Sequence, residues 1–97
     1  IELKVAVIKE VSEHPNADRL YVITLDVGDK TKQVVAGIRG SYTKEDLIGK
    51  QVVLVDNLEP ALLRGVESQG MILAASDEQG ISVISPGREM KLGSIVK

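Results

Sequence analysis

Residues 21–27, YVITLDV, alternate strictly: Tyr21, Ile23, Leu25 and Val27 fall on one face, and Val22, Thr24 and Asp26 on the other. A period of two marks a β-strand with one buried face. This pattern constrains the fold more than any other feature of the chain, because it recurs in β-branched runs separated by turn signals. LKVAVIKEV (Leu3 to Val11) precedes it and TKQVVAG (Thr31 to Gly37) follows, with Gly28-Asp29 as the turn between the second and third strands. QVVLVDNL and MILAAS continue the series.

One segment breaks the period. In TKEDLIG, Thr43 is suited to cap a helix, Glu45 and Asp46 to its first turn, and Gly49 to its end, so a helix of one to two turns is expected there. Asp77 to Gly80 reads as a turn, with ISVIS and GSIVK as short extra strands behind it. The order is three strands, a short helix and two strands. That is the order of an OB-fold, a five-stranded all-β barrel. Its ligands lie on strands 2 and 3, flanked by the loops between strands 1 and 2 and between strands 4 and 5.

The two most unusual loops fall at those two places. SEHPNADR (Ser12 to Arg19) joins the first pair of strands, and NLEPALLRGVESQG (Asn57 to Gly70) joins the fourth to the fifth. Within the latter, Leu63 to Met71 is too long for a hairpin turn, which usually takes two to five residues. It is expected to be a polar contact loop.

Composition limits the chemistry. At 97 residues the chain is sized for one domain with one core. It has no cysteine, which excludes disulfides and thiolate metal sites and fits an intracellular setting. No apolar run reaches the ~18 residues of a membrane helix. Ile1 opens directly on strand-like sequence without a Met, as expected of a domain excised from a longer chain. The net charge of −2 counts against a partner gripped along many phosphates by bulk positive charge, such as duplex DNA. Two Tyr, with no Phe or Trp, cannot form a base-stacking surface of several rings.

Catalysis finds little support. His14 is the only histidine, and no acid or oxyanion motif accompanies Ser12 beside it; a loop role for His14 is favoured. No phosphate-loop motif is present. GIRG (Gly37 to Gly40) follows a β-branched strand rather than a helix, so it reads as a turn. Nothing in the sequence requires a metal or a cofactor.

A nucleic-acid contact surface is better supplied. Arg19, Lys30, Lys32, Arg39 and Arg64 all fall on or beside the expected binding face, although any one of them alone reads as an ordinary solvated charge. Asn57 and Ser68 are neutral donors suited to phosphate, sugar or base edges. Gly65 and Gly70 either permit backbone conformations that other residues resist or let a ligand approach closely. Met71 either faces out as a soft surface for a base or ribose, or belongs to the barrel core; the pattern leaves both open.

HPNADRLYV, VVAGI and above all NLEPALLRGVESQGMILAA resemble the tRNA-binding domain found at the C-terminus of many methionyl-tRNA synthetases, in free-standing tRNA-binding proteins and in synthetase-associated cofactors. The resemblance covers nearly the whole chain. It implies an OB-fold over residues 1–97 that binds tRNA by shape, without catalysis, in aid of a cytoplasmic aminoacyl-tRNA synthetase. It implies contacts from Arg19, Asn57, Arg64, Ser68, Gly70 and Met71. It also implies a homodimer, with residues 77–97 as an extension that helps form the interface, and a synthetase catalytic domain or subunit as a further partner. Where the family pattern carries Arg, this chain has Lys4, which keeps the charge but loses the planar fork. The alternative is a dimeric protein-interaction or chaperone-like module on the same fold, as in one branch of the family. The acidic balance and scarcity of aromatics keep it open.

Overall fold

A computed structural model describes residues 1–56 and 59–97. Its central feature is a sheet in the order β3-β2-β1-β4-β7, built from β1 (Leu3–Glu13), β2 (Tyr21–Asp26), β3 (Thr31–Ala36), β4 (Gln51–Val55) and β7 (Met71–Ile72). All neighbours are antiparallel. β1 serves both sides of the curve. Leu3 to Val7 pair with β4, whereas Val7 to Glu13 pair with β2, and the register shifts between Ile8 and Glu10. An extra residue on one strand bends it and increases its twist. That bend lets the sheet roll into a nearly closed five-strand barrel, consistent with the expected OB-like architecture. On the closing side, the Gln69 N–H donates to Gln33 O at 2.7 Å and the Gln33 N–H donates to Gln69 Oε1 at 2.8 Å.

The alternation of β2 is realised as predicted: Tyr21, Ile23 and Leu25 are buried, while Val22, Thr24 and Asp26 are partly open. They meet Ala6, Ile8, Val34, Val52, Leu54 and Ile72 in the core. β4 is buried on both faces, which explains its unbroken apolar run. Val52 and Leu54 enter the core, and Val53 lies outside it, beside Ile84 and Ile95 of the C-terminal segment.

The helix α1 (Lys44–Leu47) is a single turn, capped as the sequence indicates. Thr43 Oγ1 accepts from the Asp46 N–H, and the Asp46 carboxylate accepts from the Thr43 N–H. Leu47 is fully buried in the core.

Two segments differ from expectation. MILAAS is not one strand. β7 ends at Ile72, and β8 (Ala74–Asp77) forms a separate hairpin with β9 (Gly80–Val83). Leu73 is the divide: its N–H donates to Val53 O and its carbonyl accepts from Ile84 N–H, so it links two sheets. The second difference is a short hairpin within the expected contact loop, described below. The chain end returns to the barrel, where β10 (Ile95–Val96) pairs with Leu3 and Lys4 of β1.

Candidate nucleic-acid interface

Between β4 and β7 the chain forms a hairpin of β5 (Ala61–Leu63) and β6 (Val66–Ser68). Arg64 and Gly65 make its turn, with φ of 55° and 90°. Positive φ at both central residues is what a two-residue hairpin turn needs to match strand twist. The usual signal for such a turn is Asn-Gly or Asp-Gly, so Arg-Gly concealed it. Arg64 is the one non-glycine with positive φ among the described residues. Reciprocal contacts with the first loop hold it there: Arg64 Nη2 donates to Asn16 O, and Asn16 Nδ2 donates to Arg64 O, both at 3.3 Å.

His14 reinforces this junction. It is 4% exposed, its Nδ1 accepts from the Asn16 N–H at 2.9 Å, and its Nε2 lies 2.8 Å from Leu63 O. A nitrogen that accepts from an amide carries no proton, so the pattern assigns the neutral tautomer protonated at Nε2. With both ring nitrogens engaged, His14 fastens the first loop to the hairpin, in keeping with the loop role favoured from sequence.

The other edge of the hairpin lies on β3. Gln33 Nε2 donates to Glu67 O at 2.7 Å. Ser68 is buried; its hydroxyl accepts from the Val35 N–H at 3.0 Å and donates to Gly70 O at 2.9 Å. Gly70 passes so close to β4 that a Cβ there would sit 2.7 Å from Val55 O. Ser68 and Gly70 thus help to close the barrel. Met71 pairs with Val55 and is 37% exposed, so its side chain reaches the surface.

The cations gather in two places. At the first loop, the Arg39 N–H donates to Arg19 O at 3.4 Å, and Arg39 Nη2 pairs with Glu13 Oε2 at 3.2 Å. Arg19 is exposed there, and Arg64 reaches the same loop through Asn16. Lys32 belongs to a second cluster, at the end of β4. Lys32 Nζ lies 2.9 Å from Asp56 Oδ1, while Lys4 Nζ and Lys30 Nζ lie 3.0 and 3.8 Å from Oδ2. The Lys32–Oδ1 approach is an ion pair without the alignment of a hydrogen bond. Burial pushes the Asp56 carboxyl up, but contact with Lys32 and Lys4, aided by the charge of Lys30, outweighs it and holds the group below the usual carboxylate range. Hydrogen bonding to Asp56, then its charge, raises the Lys4 ammonium above its ordinary value.

The structure thus brings Arg19, Arg39 and Arg64 to one loop cluster and places Lys32 with Lys4 and Lys30 in another. Asn57 lies outside the described residues. Asp56 was not singled out from sequence; the available signal was an acid ending the run QVVLV, where a strand buried on both faces would place an apolar residue. Among the described residues, no group of His, Asp and Glu is arranged to hold a metal ion. No helix there is long and apolar enough to cross a membrane.

A family model described as "Putative tRNA binding domain" matches residues 3–95. Over all 97 residues the chain is 50% identical to a methionine–tRNA ligase of Thermococcus kodakarensis, of which it covers 13%. The chain thus spans about an eighth of the length of that ligase. Among solved structures, a MetRS related protein from Pyrococcus horikoshii superimposes with a TM-score of 0.91 at 32% identity, covering 99% of this chain and 89% of that one. A CsaA chaperone protein from Picrophilus torridus gives 0.93 at 28% identity, covering 100% and 92%.

Proposed function

Since the chain belongs to the tRNA-binding domain family, we propose that it binds tRNA by shape as a non-catalytic appendage of a methionyl-tRNA synthetase in the cytoplasm. One observation carries this reading. The two loops that flank the ligand face of an OB-like barrel are fastened together by His14, Asn16 and Arg64, leaving arginines beside that junction on a chain of net charge −2. An acidic protein that gathers three arginines at the junction of these loops is suited to a polyanion met over a limited surface. Arg19, Lys32, Arg39, Asn57, Arg64 and Met71 supply the contacts; Ser68 and Gly70 act by holding the surface in shape.

Residues 1–97 form one tRNA-binding unit, and 77–97 contribute to a homodimer interface. Ile84, Met90 and Ile95 are exposed, beside Val53 and Pro86, in an apolar depression where the chain end returns to β1. A second copy would cover them.

The second reading is a chaperone-like module. It is favoured by the likeness to CsaA and by Leu62, which is 73% exposed on the hairpin. Titration of bulk tRNA at two salt concentrations, with duplex DNA as control, separates the two. Phosphate contacts weaken steeply with salt. Salt-sensitive binding that prefers folded tRNA is expected. Absence of binding at low salt, together with salt-insensitive capture of an unfolded protein, would favour the chaperone reading. Sedimentation of the domain alone is expected to give a dimer that Ile95→Asp dissociates.

A further inference from the structure

Lys4, Lys30 and Lys32 come from the start of β1, the β2–β3 turn and β3, yet their ammonium groups all lie within 3.8 Å of the Asp56 carboxylate. Exposure divides the cluster sharply. The Asp56 side chain is 4% exposed, whereas the lysine side chains keep 21–45%. The anion faces inward and the cations reach the surface.

Glu2 Oε1 lies 3.8 Å from Lys4 Nζ. Among the described residues, the ion pairs within 4 Å thus join three cations to two anions, with the charge of Asp29 also felt by Lys4. Among the described residues, donors are also left over. Each ammonium has three N–H groups; besides its contact with the carboxylate, Lys32 donates to Asp56 O at 3.3 Å. A shallow depression lined by Lys4, Gly28, Asp29, Lys91 and Gly93 adjoins the cluster. Free lysine side chains carry large rotamer entropy, which binding must remove. A buried carboxylate that gathers three of them removes part of it in advance.

We propose that Lys4, Lys30 and Lys32 form a phosphate subsite for the RNA backbone, and that Asp56 is its positioning residue, holding the three ammonium groups together. The inference rests on the tRNA reading above and adds a second electrostatic anchor, separate from the arginines at the first loop. It has a consequence that charge counting opposes: removing the acid weakens binding to a polyanion.

The experiment is a titration of bulk tRNA over a range of salt concentrations with the unmodified protein, Lys32→Gln, Asp56→Asn and the double variant, with folding followed by circular dichroism. Lys32→Gln is expected to make the plot of log affinity against log salt shallower by about one unit. Asp56→Asn is expected to weaken binding about tenfold, which is ~1.4 kcal/mol. The double variant is expected to fall little below the weaker single one, since the groups act as a unit. An unchanged slope for Lys32→Gln, or unchanged or tighter binding by Asp56→Asn, overturns the proposal. Lower thermal stability of Asp56→Asn with full affinity also overturns it, because that marks a purely structural role. Should Asp56→Asn fail to fold, Lys4→Gln and Lys32→Gln together must lower the slope by about two units; anything under one overturns the subsite. If the unmodified protein binds no tRNA at low salt, the tRNA reading itself fails, and the subsite with it.

Discussion

His14 Nε2 lies 2.8 Å from the carbonyl oxygen of Leu63, a residue 49 positions away. This bond joins the β1–β2 loop to the last residue before the hairpin turn, so the position of Arg64 depends on an imidazole of the first loop. His14→Ala is expected to cost about 1–2 kcal/mol, the value of buried polar partners left unpaired. Its larger effect should be on tRNA affinity, because Arg64 would no longer be held in its left-handed conformation. Long-range proton–nitrogen correlation spectra of the single histidine check the premise directly. The tautomer protonated at Nε2 is expected, and a spectrum of the Nδ1–H form would remove the bond from the account.

Ser68 and Gly70 test whether this part of the motif shapes the surface. A Cβ at Gly70 would meet the Val55 carbonyl at 2.7 Å and Leu54 Cδ1 at 3.0 Å, and backbone cannot swing aside as a flexible side chain can. Gly70→Ala is expected to destabilise by about 1–3 kcal/mol, a fall in Tm of several degrees for a domain of this size. Ser68→Ala strands the buried Val35 N–H and should cost a similar ~1–3 kcal/mol. Denaturant melts of both variants measure this. A variant of full stability with lost tRNA binding would instead make that residue a direct contact.

Local patterns were the legible part of the molecule. The alternation of β2, the Gly28-Asp29 turn and the Thr43 cap each depend on neighbours in sequence, and the order of the elements suffices to indicate a barrel. The β5–β6 hairpin escaped because a tertiary contact, Asn16 with Arg64, stabilises a turn that its own residues do not favour. The split at Leu73 escaped for a similar reason: MILAAS suits a strand throughout, and only the pairing of Leu73 with Val53 and Ile84 divides it. At the site, arginines in unusual loops could be noticed singly. The lysine cluster could not, since only the barrel brings Lys4, Lys30 and Lys32 to Asp56. Identifying Asp56 required knowing that both faces of β4 are buried.

The Asp56 cluster also predicts how stability responds to pH. The folded carboxyl titrates below its ordinary value near 3.8, so its contribution is present above about pH 4 and is lost as pH falls through the lower folded value. Lys4 titrates above its ordinary 10.5, so its contribution is present below that pH and is lost as pH rises through the higher folded value. Thermal melts from pH 2.5 to 12 should show a plateau with both limbs. Asp56→Asn should flatten the acid limb attributable to this group and weaken the alkaline one, because Lys4 loses the partner that raises it. An acid limb identical in the variant would assign that loss to other carboxylates.

Met71 separates a contact residue from a packing residue. Its backbone belongs to β7 and pairs with Val55, but the residue is 37% exposed, whereas the next one, Ile72, is buried in the core. A fully buried methionine replaced by alanine costs ~2–5 kcal/mol. Met71→Ala is expected to cost about 1 kcal/mol, because much of the side chain already meets water and leaves only a partial cavity. Affinity for tRNA should fall by more than that loss of stability would produce, since a flexible thioether at the surface can pack on a base or ribose and alanine cannot reach it. Ile72→Ala provides the contrast: a large drop in Tm, with binding by the folded fraction retained. Paired melts and titrations of the two variants decide the matter. A steep loss of stability for Met71→Ala, with unchanged affinity of what remains folded, would return Met71 to the barrel.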